Sequence, residues 1–307
     1  MGRHLTRQAD QTVTNDCTLE IAKSAEPGFF AKGYLGRDRM KTEIIYGIHP
    51  VLESLRSARR RIDEIYLAKG ASSKRLEKID ALALSKSIAV KRIDMSRLSR
   101  KTQTEHHQGA AARVGAFPLT PFNAVTARLD PQIQHPFLIV LDNVVDPHNL
   151  GAIIRSALAV GVDGIIIPKD RAAGPTPAVS KASAGMLEHA RLTRVTNMAA
   201  AFKRLKKKGL WLFGLDQAAE QSLYAADLSG AIALVIGGEE KGVRPLVKKN
   251  CDGLLSIPQS GRVDSLNASV AAAVAMYEVY RQRTAVYDAA SRDGETGRNG
   301  NSSATKA

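Results

Sequence analysis

Cysteine, aromatic residues and long apolar runs are all scarce in this chain, and each scarcity excludes something. Two cysteines, Cys17 and Cys251, among 307 residues give no framework of bridges and no cysteine metal cluster, which suits a reducing compartment. No apolar run approaches the roughly 18 uninterrupted residues of a membrane helix, and the N-terminus lacks a hydrophobic signal core. The expectation is a cytoplasmic protein with no membrane partner and no structural metal. Acidic residues are also in short supply, 30 against 44 Lys and Arg, for a formal charge of +14. Such a surplus is the usual footprint of a phosphate-backbone partner; a solubility charge or an anionic membrane surface is the blander alternative.

What is present is alternation. Residues 1–42 carry no sustained period and read as a disordered tail, with Met40 a candidate translation start, and residues 285–307 read as a second tail low in apolar residues. Between them the pattern predicts a helix over Pro50 to Ala58, a strand "IDEIYLA", a helix over Ser73 to Ser85, a strand "AVKRID", a basic loop "SRLSRKTQTEHHQG" and a strand "AAARVGAF". That is a compact α/β domain over 43–117, followed by a proline-bearing linker over 118–136 with room for one short helix. A second domain, 137–284, alternates continuous apolar strands with helices, which indicates a mainly parallel sheet covered on both faces. Ligands of such sheets bind at the carboxyl ends of the strands.

Three strand-end loops are richer than connectors need: "LDNVVDPHNLGAIIRSA", "LVIGGEEKGVRPL" and "LLSIPQSGRVDSLNASVAAAVAMYE". Gly237 and Gly242 have the spacing of a phosphate loop, but Val243 replaces the phosphate-contacting Lys and no Ser or Thr follows for magnesium. No G-x-G-x-x-G follows a strand, which counts against a dinucleotide oxidoreductase. Together, in this order, the three loops resemble the TrmH (SpoU) branch of the knotted SPOUT methyltransferases. In the front domain "YGIHPVLESL" and "HHQGAAARV" look like the L30e-like RNA-binding domain of the RlmB type, whose members 2′-O-methylate a guanosine of large-subunit ribosomal RNA.

The resemblance implies a trefoil knot, S-adenosylmethionine as methyl donor without a metal, and a homodimer built partly on the last helix. It places Gly237, Ile257 and Leu266 at the adenosine, where a glycine permits close backbone approach and two aliphatic side chains offer apolar walls; the alternative is that all three are core and turn residues. It places Arg155 at the reacting ribose hydroxyl. A guanidinium is a poor base, with a pKa above about 12, so phosphate or hydroxyl binding that stabilises developing alkoxide suits it better, the proton passing to phosphate, water or Glu239. Asn149, Glu239, Ser265 and Asn267 match the remaining motif positions. Asn149 and Ser265 could equally be helix caps, and Asn267 could only hold the knot together; His148 reads as a loop residue. Asp264 and Ala268 depart from the family pattern, which usually has a small or polar residue and Val there.

For RNA contacts the front domain offers Arg59, Arg60 and Arg61 in "RSARRR", and Arg100, Lys101, His107 and Gln108 in the basic loop. Cations interspersed with hydroxyls and amides suit phosphate and ribose, and the scarcity of aromatics there points to shape and backbone recognition over base stacking. "KRLKKKG" in the second domain could extend the basic surface or merely decorate an outer helix. The reading is therefore a ribose 2′-O-methyltransferase of a 23S rRNA guanosine, on naked RNA or an assembly particle. The alternatives are a tRNA or other rRNA enzyme of the same fold, and a noncatalytic RNA-binding or ribosome-assembly factor.

Overall fold

The computed structural model of the chain describes residues 41–71, 73–132, 135–239, 241–261 and 265–296. Met40 and the N-terminal tail, Asp264, and the final residues 297–307 lie outside the described residues. The first lobe runs β1 (Thr42–Tyr46), α1 (Ile48–Ser57), β2 (Ile62–Ala68), α2 (Lys74–Ser85), β3 (Val90–Ile93), α3 (Met95–Thr102) and β4 (Ala110–Gly115). Its sheet has the order β1-β4-β2-β3, with β4 antiparallel to both neighbours and β2 parallel to β3. Val51, Leu52 and Leu55 recur at helical spacing on α1 and seal a core with Ile45, Ile65, Leu67, Ile79 and Val114.

The basic segment expected as a loop begins with α3. Leu98 and Thr102 lie four residues apart on its buried side, while Arg97, Arg100 and Lys101 face solvent. One buried leucine and one buried threonine among so many cations are too thin a signal to announce a helix in the sequence. The segment expected as a linker with room for one short helix contains that helix, α4 (Phe122–Thr126), and is fastened down. Val125 and Leu129 are buried, and the Thr120 N–H donates to the Leu192 carbonyl at 2.8 Å.

The second lobe continues with β5 (Phe137–Asp142), α5 (Pro147–Ala159), β6 (Gly164–Pro168), α6 (Pro177–Ala182), β7 (Leu192–Val195), α7 (Met198–Lys207), β8 (Trp211–Leu215), β9 (Ile232–Gly237), α8 (Pro245–Lys248), β10 (Gly253–Leu255) and α9 (Ala268–Thr296). Its six strands are all parallel, in the order β10-β8-β9-β5-β6-β7. β5 shows why the run is continuously apolar. Phe137, Ile139 and Leu141 enter one core with α5 and α9, while Leu138 and Val140 enter the other with α7 and α8. From β5 the chain steps outward to β6 and β7, then returns to build β8, β9 and β10 on the other side. That reversal makes the carboxyl ends of β5 and β9 a topological switch point, the place where ligands of open α/β sheets bind. α9 reaches Thr296, so helix replaces the tail expected from 285 as far as that residue. Ala, Arg and Glu favour helix locally even where apolar residues are few. No helix among the described residues is long and apolar enough to cross a membrane.

A buried ionic cluster ties the lobes together. The Arg60 guanidinium, 2% exposed, is held bidentately by Glu188 at 2.5 and 2.8 Å and also pairs with Glu43. Burial pulls its pKa down, but these carboxylates more than offset that and raise it overall. Arg60 is thus not the surface cation expected of it, because both acids claim the charge that a phosphate would need. Arg59 donates to the Ala190 carbonyl at 2.6 Å and lies over the Phe117 ring.

Candidate functional site

The first loop leaves β5 at Asp142, whose side chain is fully buried. Its Oδ2 accepts the backbone N–H of Arg244 at 2.9 Å, and its Oδ1 accepts from the Arg244 guanidinium at 2.5 and 2.9 Å. The loops after β5 and β9 are thereby locked together. Sequence reasoning passed over this pair, since nothing local links residues 102 apart. A Cβ on Gly237 would collide with the backbone of Gly242 and Val243, and one on Gly238 with the Asn143 carbonyl. Both glycines are demanded by the close folding of the loop on itself and on its neighbour.

α5 begins at Pro147 with Asp146 as its cap, the Asp146 carboxylate accepting the His148 N–H at 3.0 Å. Asn149 therefore is not the cap; the free carboxylate one turn earlier takes that place. His148 is helical and exposed. Asn149 is buried in the first turn, with its amide directed to the crevice: its Nδ2 donates to Glu239 Oε1 at 2.9 Å, and its Oδ1 accepts from Asn267 Nδ2 at 3.1 Å. Asn267 Nδ2 also donates to Glu239 Oε1. Three residues from three loops thus meet in one hydrogen-bonded triangle. Asn267 Oδ1 meanwhile accepts from the Ser269 and Val270 N–H groups at 2.9 and 3.3 Å, so Asn267 rather than Ser265 caps α9. Ser265 is exposed beside it.

Arg155 stands on α5 six residues beyond Asn149, exposed to solvent. Ile257 is half-buried against the larger core, and Leu266 is half-buried one residue before Asn267. Between them Gln259 carries a buried Oε1 that has no hydrogen-bond partner among the described residues. An aliphatic wall, an unspent buried acceptor and a backbone kept bare by glycine fit a ligand with both apolar and donor groups. Among the described residues no group of three or more His, Cys, Asp or Glu could hold a metal ion.

The expected RNA contacts separate. Arg61 is exposed and pairs with Asp63 at 2.5 Å. Arg100 and Lys101 are exposed on α3, with Lys101 Nζ 4.5 Å from the Tyr66 ring centroid. Gln108 is exposed, and its Oε1 accepts from Lys181 Nζ at 2.9 Å across the lobes. His107 is 2% exposed: its Nδ1 accepts the Gly109 N–H at 3.1 Å, and its Nε2 meets Ser99 Oγ at 3.0 Å. Those bonds shape the turn into β4 and leave no ring nitrogen for RNA. Burial holds the His107 pKa below its ordinary value.

A wholly parallel sheet whose strand-end loops converge on an amide and carboxylate triangle, joined to a small α/β lobe, defines a two-lobe α/β protein with three loops meeting at the switch point. Comparison with known proteins makes the class specific. The profile of the SpoU rRNA Methylase family matches residues 136–277, and that of the RNA 2′-O ribose methyltransferase substrate binding domain matches 44–119. The chain is 39% identical to the putative TrmH family tRNA/rRNA methyltransferase YacO of Bacillus subtilis, over 80% of this chain and 97% of that one. It is 41% identical to the 23S rRNA (guanosine-2′-O-)-methyltransferase RlmB of Shewanella oneidensis, over 79% and 98%. The crystal structure of the SpoU methyltransferase AviRb from Streptomyces viridochromogenes with AdoMet shares the fold, with a TM-score of 0.68 at 22% identity over 82% of this chain and 95% of that one. The chain belongs to the SpoU rRNA methylase family.

Proposed function

We propose that this protein transfers a methyl group from S-adenosylmethionine to the ribose 2′-hydroxyl of a guanosine in 23S rRNA. The observation that carries this is the Asn149, Glu239 and Asn267 triangle at the switch point, with Arg155 on the same helix, in a chain 41% identical to RlmB of Shewanella oneidensis over 79% of its length. When bound, the cofactor supplies a methyl group on a sulfonium, already a good leaving group. Gly237, Ile257 and Leu266 would hold its adenosine, and Gln259 Oε1 would accept one of its donors.

The chain's own residues then have to bring a weak nucleophile into line and take its proton. Arg155, exposed and fixed on α5, binds an oxygen of the adjacent phosphate or of the hydroxyl and stabilises developing alkoxide. The triangle occupies Glu239 Oε1 and leaves Oε2 to accept the proton, directly or through water or phosphate. Ser265, exposed beside Asn267, lies with the substrate.

The remaining family features extend the proposal. β10 lies at the sheet edge, yet Asn267 bonds to Asn149 beyond the end of β5 in the sheet's middle, which supports a knotted return of the chain. The first lobe, in an L30e-like role, presents Arg61, Arg100 and Lys101 to RNA. Val270, Tyr277 and Tyr280 lie on one exposed face of α9, which supports a homodimer on that helix. The protein would act in the cytoplasm, on rRNA or an assembly particle.

Mapping ribose methylation in total RNA from a strain lacking this gene tests the reading. One lost mark in 23S rRNA is the expected result; a lost tRNA mark would overturn the substrate, and no lost mark the activity. Arg155→Lys, assayed on the same RNA, should lower turnover by on the order of tenfold or more because a point charge replaces a planar fork; near-normal turnover would remove the special role of the guanidinium.

A further inference from the structure

The second lobe carries a cationic cleft that the reaction above does not use. The loop after β6 and the start of α7 enclose about 280 Å³ lined by Lys169, Asp170, Arg171, Thr196, Met198 and Arg244. Pro168 pairs with Val195, and the Lys169 N–H donates to the Val195 carbonyl at 2.8 Å, so the floor is the carboxyl edge of β6 and β7. Arg244 comes from the β9 loop, five residues after Glu239. The cleft therefore spans the end of β5 and shares a loop with the proposed site.

We propose that this cleft binds a phosphodiester of the RNA backbone beyond the methylated nucleotide. The inference rests on the methyltransferase reading and adds a second anchoring point for the same strand. Arg244 is pre-aimed: the buried Asp142 holds its Nε and one terminal nitrogen, leaving Nη1 without a partner among the described residues. A guanidinium fixed in this way loses little freedom when it donates to a phosphate oxygen. Lys169 and Arg171 are exposed cations lining the same cleft, with Asp170 the one acid among its lining residues. Beyond the cleft the cations continue. Arg194 is exposed on β7, its guanidinium close against Gly174, and Lys203 and Lys207 are exposed along α7. The acids that face this track are Asp170, Asp142 bound to Arg244, and Asp252 bound to Lys206 at 2.7 Å. The "KRLKKKG" run thus prolongs the path of a backbone leaving the crevice.

Lys169→Gln/Arg171→Gln and Arg171→Gln, both outside the proposed reaction machinery, test this in the full chain with a 23S rRNA fragment that the wild type methylates. Binding is measured against salt concentration, with S-adenosylmethionine affinity by calorimetry and thermal unfolding alongside. The double variant should bind RNA roughly tenfold more weakly at physiological salt, with a salt dependence shallower by about one to two phosphate contacts. Cofactor affinity and unfolding should be unchanged, and the single variant should fall between. RNA affinity and salt slope equal to wild type in both variants would overturn the cleft while leaving the methyltransferase reading intact. Absence of methylation by the wild type would instead overturn that reading.

Discussion

Asn267 uses one end of its amide to start α9 and the other to hold Asn149 and Glu239, so the two roles can be separated by substitution. Asn267→Ser keeps a good cap oxygen, and stability should change by less than about 1 kcal/mol. It removes both Nδ2 bonds, and methyl transfer at saturating substrate should fall by roughly 10- to 100-fold, because a misplaced crevice loses alignment. Unchanged turnover with unchanged stability would reduce the triangle to a brace. His107 lends itself to a pH test. Burial lowers its pKa below 6.5, so the folded chain refuses a proton that the unfolded chain takes. Its contribution is full above pH 6.5 and is lost as pH falls through the folded value. His107→Asn keeps an acceptor for the Gly109 N–H but does not titrate. Denaturant unfolding at pH 7.5 and 5.5 should show a smaller pH loss for this variant than for wild type; equal losses would remove His107 as the cause. The residue types of the site were legible because the motif loops are polar where connectors need not be. Which side chain caps and which bridges was not, since an Asn does either with the same atoms.

α5 and α6 approach so closely that a Cβ on Gly151 would lie 2.5 Å from the Ala182 Cβ and 2.9 Å from the Ser183 nitrogen. Both obstacles belong to a packed helix end, so Gly151→Ala forces the helices apart and should cost about 1–3 kcal/mol in chemical denaturation; a neutral result would show that α6 can shift freely. Because α5 also carries Asn149 and Arg155, methyl transfer should fall with it. Elements with sustained periods, such as β2, α2, β5 and β9, stood out in the sequence because each satisfies its own face. The helix α3 and the packed segment around α4 did not. Their few apolar residues matter only through the partners that the tertiary fold supplies, Leu98 under β2 and Val125 against the second core.

At the scale of the molecule, one buried guanidinium joins the lobes. Arg60→Ala would leave Glu188, itself 1% exposed, without its bidentate partner, and should cost about 3–5 kcal/mol of stability in denaturant unfolding. A loss below 1 kcal/mol would show that this ion pair is not what holds the lobes together. In sequence, Arg60 stands in "RSARRR" between two residues of the same kind, and nothing local distinguishes the one that is buried. By itself the sequence determined the alternating α/β plan, the parallel sheet, the cationic balance and the three loops at strand ends, because periodicity, charge and turn chemistry are properties of neighbours along the chain. The tertiary structure alone decided that Asp142 clamps Arg244, that Asn149 meets Glu239 and Asn267, and that Arg60 turns inward. Those pairings join residues 17 to 128 positions apart, and only the order in which the strands assemble sets which of them meet.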